Sequence, residues 1–204
     1  GGGGYGLSIS QKAGGTFTSS DLVGTWNAHA LLSGDSPSQR SGWSYSTASV
    51  DSSGNYTESS HTRSNGGTGT NTFTFAITAD GIVTINGFST FHGVMSQDKN
   101  MIVGTHTDGD GGYGLIIFQK SGGTFSQSDL TGTWNLHGLT SGDNPPQWIG
   151  WFYAGTSIDS SGNLASSFCM DSSGDTACGG DVMFLISSTG EVTEIGGNLP
   201  DFNS

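Results

Sequence analysis

"SSDLVGTWNAHALLSGD" at residues 19–35 and "QSDLTGTWNLHGLTSGD" at residues 127–143 are nearly the same phrase, and their spacing sets the register of the whole chain. Aligned from Gly3 against Gly111 to Asn55 against Asn163, the offset stays at 108 and 35 of 53 positions are identical. After one inserted residue, "FAITADGIVTI" (75–85) matches "FLISSTGEVTE" (184–194). A fixed period of this kind marks a duplicated structural unit. Inside the phrase, Ser20-Asp21-Leu22 reads as a capped single turn, with Asp21 able to accept from nearby backbone N–H groups. Gly24-Thr25-Trp26 then opens a strand. Alternation of Trp26, Ala28 and Ala30 against Asn27 and His29 points the indole at the core. Trp134, Leu136 and Gly138 repeat the pattern against Asn135 and His137.

Working outward from the phrase, turn signals such as "DSSGN", "ADG", "QDKN" and "TDGDGG" divide the first unit into eight strands. Their expected spans are 24–32, 42–50, 55–62, 72–79, 82–89, 91–96, 100–107 and 112–120. Short linkers make sequence neighbours pair antiparallel, and no helical periodicity is visible. The expected fold is all-β: tandem antiparallel up-and-down β-units, about eight strands per 108-residue repeat, each barrel-like. Closure removes edge strands. Propeller-like four-stranded sheets are the alternative, disfavoured because no shorter sub-repeat lies inside the unit. Since "GGYGLSISQKAGG" (3–15) matches "GGYGLIIFQKSGG" (111–123), residues 1–15 read as the last strand of a preceding or partner unit. Residues 16–123 are then a complete unit, and 124–204 an incomplete one lacking its final strands.

A short turn followed by Gly-x-Trp at the start of an eight-stranded unit resembles the calycin superfamily of lipocalins and avidins. "DLTGTWNLHG…SIDSSGN" is also similar to the first hairpin of avidin-type barrels. The resemblance implies an up-and-down barrel, often with a ligand cavity, and a basic residue on the last strand near the Trp. Lys12 and Lys120 stand at that place, but alternation against Tyr113, Leu115 and Ile117 points them outward. The polar set with which avidins hold biotin has no match, so no ligand residues carry over.

Composition narrows the partners. Gly supplies 36 of 204 residues, Lys and Arg together only 5, and the formal net charge is −12. No basic footprint for nucleic acid exists, and anionic membrane surfaces are disfavoured for the same reason. No apolar run is long enough for a transmembrane helix, so no membrane insertion is expected. The opening "GGGGYGLSIS" has neither the basic nor the apolar region of a signal peptide. Cys169 and Cys178 flank a Gly-rich hairpin loop and are expected to form a disulfide, which suits an extracellular or cell-surface setting.

Chemistry-bearing residues are few. No nucleophile elbow occurs, and Glu is found only at positions 58, 191 and 194, none of them repeated. No catalytic residue and no cofactor is expected, and the chain is read as a non-enzyme. His29 and His137 recur as outward polar residues; His92 and His106 occur in one unit only. No metal site is expected: calcium is the most plausible ion, through Asp108 and Asp110 in "DGDGG", but the spaced Glu of an EF-hand is missing and turn chemistry accounts for the loop. Aromatics expected to line a core or cavity are Trp26, Trp43, Tyr45 and Phe75, with Trp134, Trp151, Tyr153 and Phe184 in the second unit. Where the units differ, Arg40, Ser41 and Ser44 become Trp148, Ile149 and Phe152, and Ser8 and Ser10 become Ile116 and Phe118. Read as an outward face, this patch makes Tyr5, Leu7, Ile9, Ile116, Phe118, Trp148, Ile149 and Phe152 an assembly interface. The expected function is a secreted or surface structural protein whose partners are copies of itself, assembling into filaments by strand complementation. A calycin-like module for a small hydrophobic ligand is the alternative.

Overall fold

Ser19–Leu22 form one turn of 3-10 helix, begun as the phrase requires. The Thr18 backbone N–H and hydroxyl both donate to the Asp21 carboxylate, at 2.8 and 3.2 Å. The structure is a computed structural model that describes residues 7–12, 14–33, 42–109, 111–140, 150–172, 174, 176 and 182–195. Its contacts divide the chain into two compact units, Ile9–Gly122 and Gly123–Ser204 with Gly1–Ser8.

The first unit is a closed barrel of eight antiparallel strands: β1 (Gly24–Ser33), β2 (Gly42–Val50), β3 (Asn55–Arg63), β4 (Thr72–Ile77), β5 (Ile82–Ile85), β6 (Phe88–Met95), β7 (Met101–Thr107) and β8 (Tyr113–Lys120). Each strand pairs with the next, and β8 returns to β1 with Trp26 opposite Lys120 and Ser33 opposite Tyr113. All eight expected strands are present, and propeller-like sheets are not formed. The largest boundary shift is at the break between β5 and β6, which falls at Asn86-Gly87, where Gly87 has φ +79°, a conformation without penalty for glycine.

Trp26 is fully buried and donates from Nε1 to the Leu22 carbonyl at 2.7 Å. Phe17 and Leu22 pack beside it and plug this end of the barrel. Lys120 does not point outward. Its Nζ lies 5.4 Å from the centre of the Trp26 ring and donates to the Asp21 carbonyl at 2.9 Å. Lys99, from the β6–β7 turn, reaches the Asp21 carboxylate at 3.0 Å. Beyond Trp26 the interior is filled by Phe75, Val83, Phe91, Met95, Ile102 and Phe118. Each such side chain contributes about 1.5–3 kcal/mol when fully buried.

The faces of β2 and β8 are the reverse of the expectation. Ser44, Ser46 and Ala48 face inward, opposite Ala30, Ala28 and Trp26. Trp43 and Tyr45 lie on the outer face, 48% and 45% exposed. On β8, Phe118 is buried and Ile116 packs against the core, whereas Tyr113 is exposed. The cause is volume. An eight-stranded barrel has room for only a few rings, and β3, β4, β6 and β8 supply them. Small residues must therefore line β2.

In the second unit, β9 (Gly132–Thr140), β10 (Gly150–Ile158) and β11 (Leu164–Asp171) form one sheet, and β12 (Met183–Ile186) pairs with β13 (Val192–Ile195). Registers repeat those of the barrel. Trp134 pairs with Thr156 as Trp26 pairs with Ala48, and the irregularity at Thr47/Ala48 recurs at Gly155/Thr156. Trp134 keeps its bond to the Leu130 carbonyl but is 44% exposed. Phe152 faces inward and is buried. Its partner across the sheet is Gly138, where the barrel has Ala30 opposite Ser44, and a Cβ on Gly138 would overlap the Phe152 ring. The Ser-to-Phe difference is thus a compensated packing exchange, not an outward patch.

Candidate ligand cavity

Tyr56, Glu58 and His61 come from one strand, β3, and strict alternation could not bring all three inside. A bulge does. Ala48 pairs with Glu58 and Thr47 with Ser60, which leaves Ser59 as the extra residue. Ser59 steadies the bulge by donating from Oγ to the Thr47 carbonyl at 3.0 Å. Alternation restarts after it, so His61 joins Glu58 and Tyr56 on the inner side.

These residues line a cavity of about 500 Å³ at the end of the barrel opposite Trp26. Its apolar walls are Ala28, Ala30, Phe73, Phe88, Ile116 and Phe118. The Tyr56 and Phe73 rings stack at 4.2 Å, and Phe118 meets Tyr56 edge-on at 5.9 Å. An adjoining recess of about 230 Å³ shares Ala30, Ser44, His61, Asn71, Asp108 and Ile116 with it.

The polar side of the cavity is one connected network. Glu58 Oε2 accepts from the Asn71 backbone N–H at 2.7 Å and from His61 Nδ1 at 3.1 Å. Arg63 Nε donates to His61 Nε2 at 3.2 Å. A guanidinium only donates, so Nε2 is the accepting nitrogen and the ring proton sits on Nδ1, facing Glu58. The Tyr56 hydroxyl lies 3.1 Å from Ser46 Oγ and 3.4 Å from Glu58 Oε1. Burial pushes the Tyr56 hydroxyl above its ordinary pKa, and the Glu58 charge adds to the rise, although the bond to Ser46 opposes it. Tyr56 therefore remains a neutral hydroxyl. Glu58 itself is only 7% exposed.

A second imidazole–carboxylate pair borders the recess. His106 Nε2 and Asp108 Oδ1 are 3.1 Å apart, and the His106 ring fits only because Gly114 beside it has no Cβ. Among the described residues buried His106 Nδ1 has no hydrogen-bond partner.

Of the residues expected from sequence to line a core or cavity, Trp26 and Phe75 are buried in the barrel. Trp43 and Tyr45 face out, with His29 stacked on Tyr45 at 6.3 Å. Trp151 and Tyr153 stack on each other in the same way in the second unit, at 6.2 Å, and Phe184 is half-buried there. Of the expected assembly face, Ile116, Phe118 and Phe152 point inward, whereas Leu7 and Ile9 are exposed and outside any strand. Tyr5, Trp148, Ile149, Asp110 and Cys178 lie outside the described residues, and with them half of the calcium pair and half of the disulfide. Cys169 is buried, its Sγ 3.3 Å from the Thr176 carbonyl. Among the described residues no group of three or more His, Cys, Asp and Glu side chains is placed to hold a metal ion.

Ser46, Tyr56, Glu58 and His61 were not expected as site residues. The second unit shows what sets them apart. At the corresponding register positions it carries Ala154, Leu164, Ser166 and Cys169. Comparisons with protein-family models, curated proteins and solved structures found no match.

Proposed function

We propose that the barrel Ile9–Gly122 is a binding module that takes one small molecule into the cavity between β2, β3 and β8. The observation that carries this reading is Glu58. A carboxylate at this burial is costly to desolvate, and replacing such a group with apolar residues often stabilises a fold. The second unit, built on the same strands, does without it. A polar network kept inside one unit and absent from its duplicate fits recognition better than packing. The barrel is compatible with a calycin-like architecture, and the Lys120–Trp26 contact is a further point of likeness. Self-assembly has weaker support, because three of the residues expected to form its face point inward.

The test transplants the inward pair of the second unit into the barrel. Wild-type chain and the double variant Ala30→Gly/Ser44→Phe are screened by thermal shift against small molecules. A compound that binds raises the Tm of the wild type. That rise is expected to vanish in the variant, whose new ring occupies the cavity. A rise that survives in the variant places binding elsewhere and removes the proposal.

A further inference from the structure

We infer that the ligand of this cavity is a small organic amine, bound as its ammonium with the charge on Glu58 Oε1 and its apolar body against Phe73 and Ile116. This inference rests on the binding-module reading and adds the chemical class.

Donor supply decides it. Glu58 Oε2 holds two donors at good distance, the Asn71 N–H and His61 Nδ1. Among the described residues Oε1 has only the Tyr56 hydroxyl, at 3.4 Å and shared with Ser46. A carboxylate offers about four acceptor sites, so Oε1 keeps capacity for a strong donor. None of the described residues supplies one. His61 accepts from Arg63 at Nε2 and directs Nδ1 at Oε2, so its imidazole does not reach Oε1. The Arg63 guanidinium is separated from Glu58 by the imidazole it is bonded to. What fits Oε1 is a charged N–H donor brought from outside, which makes a shorter and stronger bond than a neutral one.

Charge and shape around that oxygen agree. Asp108, beside His106, lines the same cavity as Glu58, within a chain of net charge −12. An anionic ligand meets repulsion here, and a neutral one leaves Oε1 uncompensated. The stacked Tyr56 and Phe73 rings offer π faces, which attract cations and also suit hydrocarbon. A volume of about 500 Å³ suits a molecule of arylalkylamine size. Since Leu164 and Cys169 stand in place of Tyr56 and His61, the described residues of the second unit offer no equivalent site, and one amine per chain is expected.

Three probes of similar shape and different charge form the test: 2-phenylethylamine, 2-phenylethanol and 3-phenylpropanoate, titrated calorimetrically into the full chain at pH 7. The amine is expected to bind at one site, roughly tenfold or more tighter than the alcohol, as a charge-assisted bond implies. Glu58→Gln is expected to bring the two together. If that variant does not melt cooperatively, the wild-type series still decides through the same ratio. Alcohol or carboxylate binding as tightly as the amine overturns the inference and leaves the binding-module reading standing. No binding by any of the three overturns the inference, while the broader thermal-shift screen decides the module reading separately.

Discussion

Asp21 and Glu58 are two carboxylates of one barrel with opposite surroundings. Asp21 lies at the plugged end, and its pKa is held below the ordinary 3.8, first by the Thr18 backbone N–H and then by Lys99. Because the folded-state pKa is the lower one, ionised Asp21 contributes stability that is complete above about pH 4. That contribution is lost as pH falls through the folded-state value. Asp21→Asn removes the charge at the first turn, is expected to cost about 0.3–1 kcal/mol at neutral pH, and to flatten the fall in stability below about pH 4. Denaturant melts across that range check it, and an unchanged acid limb would contradict the assignment. The exposed Lys99 contact supplies the smaller part of the effect. Glu58 lines the cavity instead, with Oε2 held by the Asn71 N–H and His61 and Oε1 near only the Tyr56 hydroxyl among the described residues.

At the scale of elements, β2 and β3 carry the lesson. The strand order was legible because Asp-Gly and Asx-rich turns punctuate it and because the phrase recurs. The facing of β2 was not, because its largest residues, Trp43 and Tyr45, are outside. Hydrophobic size is a poor guide to direction when neighbouring strands already fill a narrow barrel. Glu58 and His61 were hidden by the bulge at Ser59, since simple alternation sends one of them out. A signal was present all the same: beyond Asn55 the two copies part at Tyr56/Leu164, Glu58/Ser166 and His61/Cys169. That is a change from polar to less polar at the inward positions. Paired differences also explain Phe152. Gly138→Ala is expected to cost about 1–3 kcal/mol by crowding that ring. In a Phe152→Ser background the cost should disappear, and a double-mutant cycle reads the coupling. Additive effects would show that the two positions do not share space.

For the molecule as a whole, the two units share strand registers over β1–β3 and β9–β11 and differ in the side chains those strands carry. One end of the barrel is structural, built from Phe17, Leu22 and Trp26 under Lys120. The other end holds the cavity lined by Tyr56, Glu58 and His61, where the second unit carries Leu164, Ser166 and Cys169. Function is therefore expected to reside in the unit Ile9–Gly122, on its inner surface, although the exposed Trp43 and Tyr45 offer an outer apolar face of comparable attraction. Isotope-filtered NMR on the chain saturated with 2-phenylethylamine separates the two. The account predicts contacts from the probe to Phe73 and Ile116. Contacts confined to Trp43 and Tyr45, or to Trp151 and Tyr153 of the second unit, would contradict it.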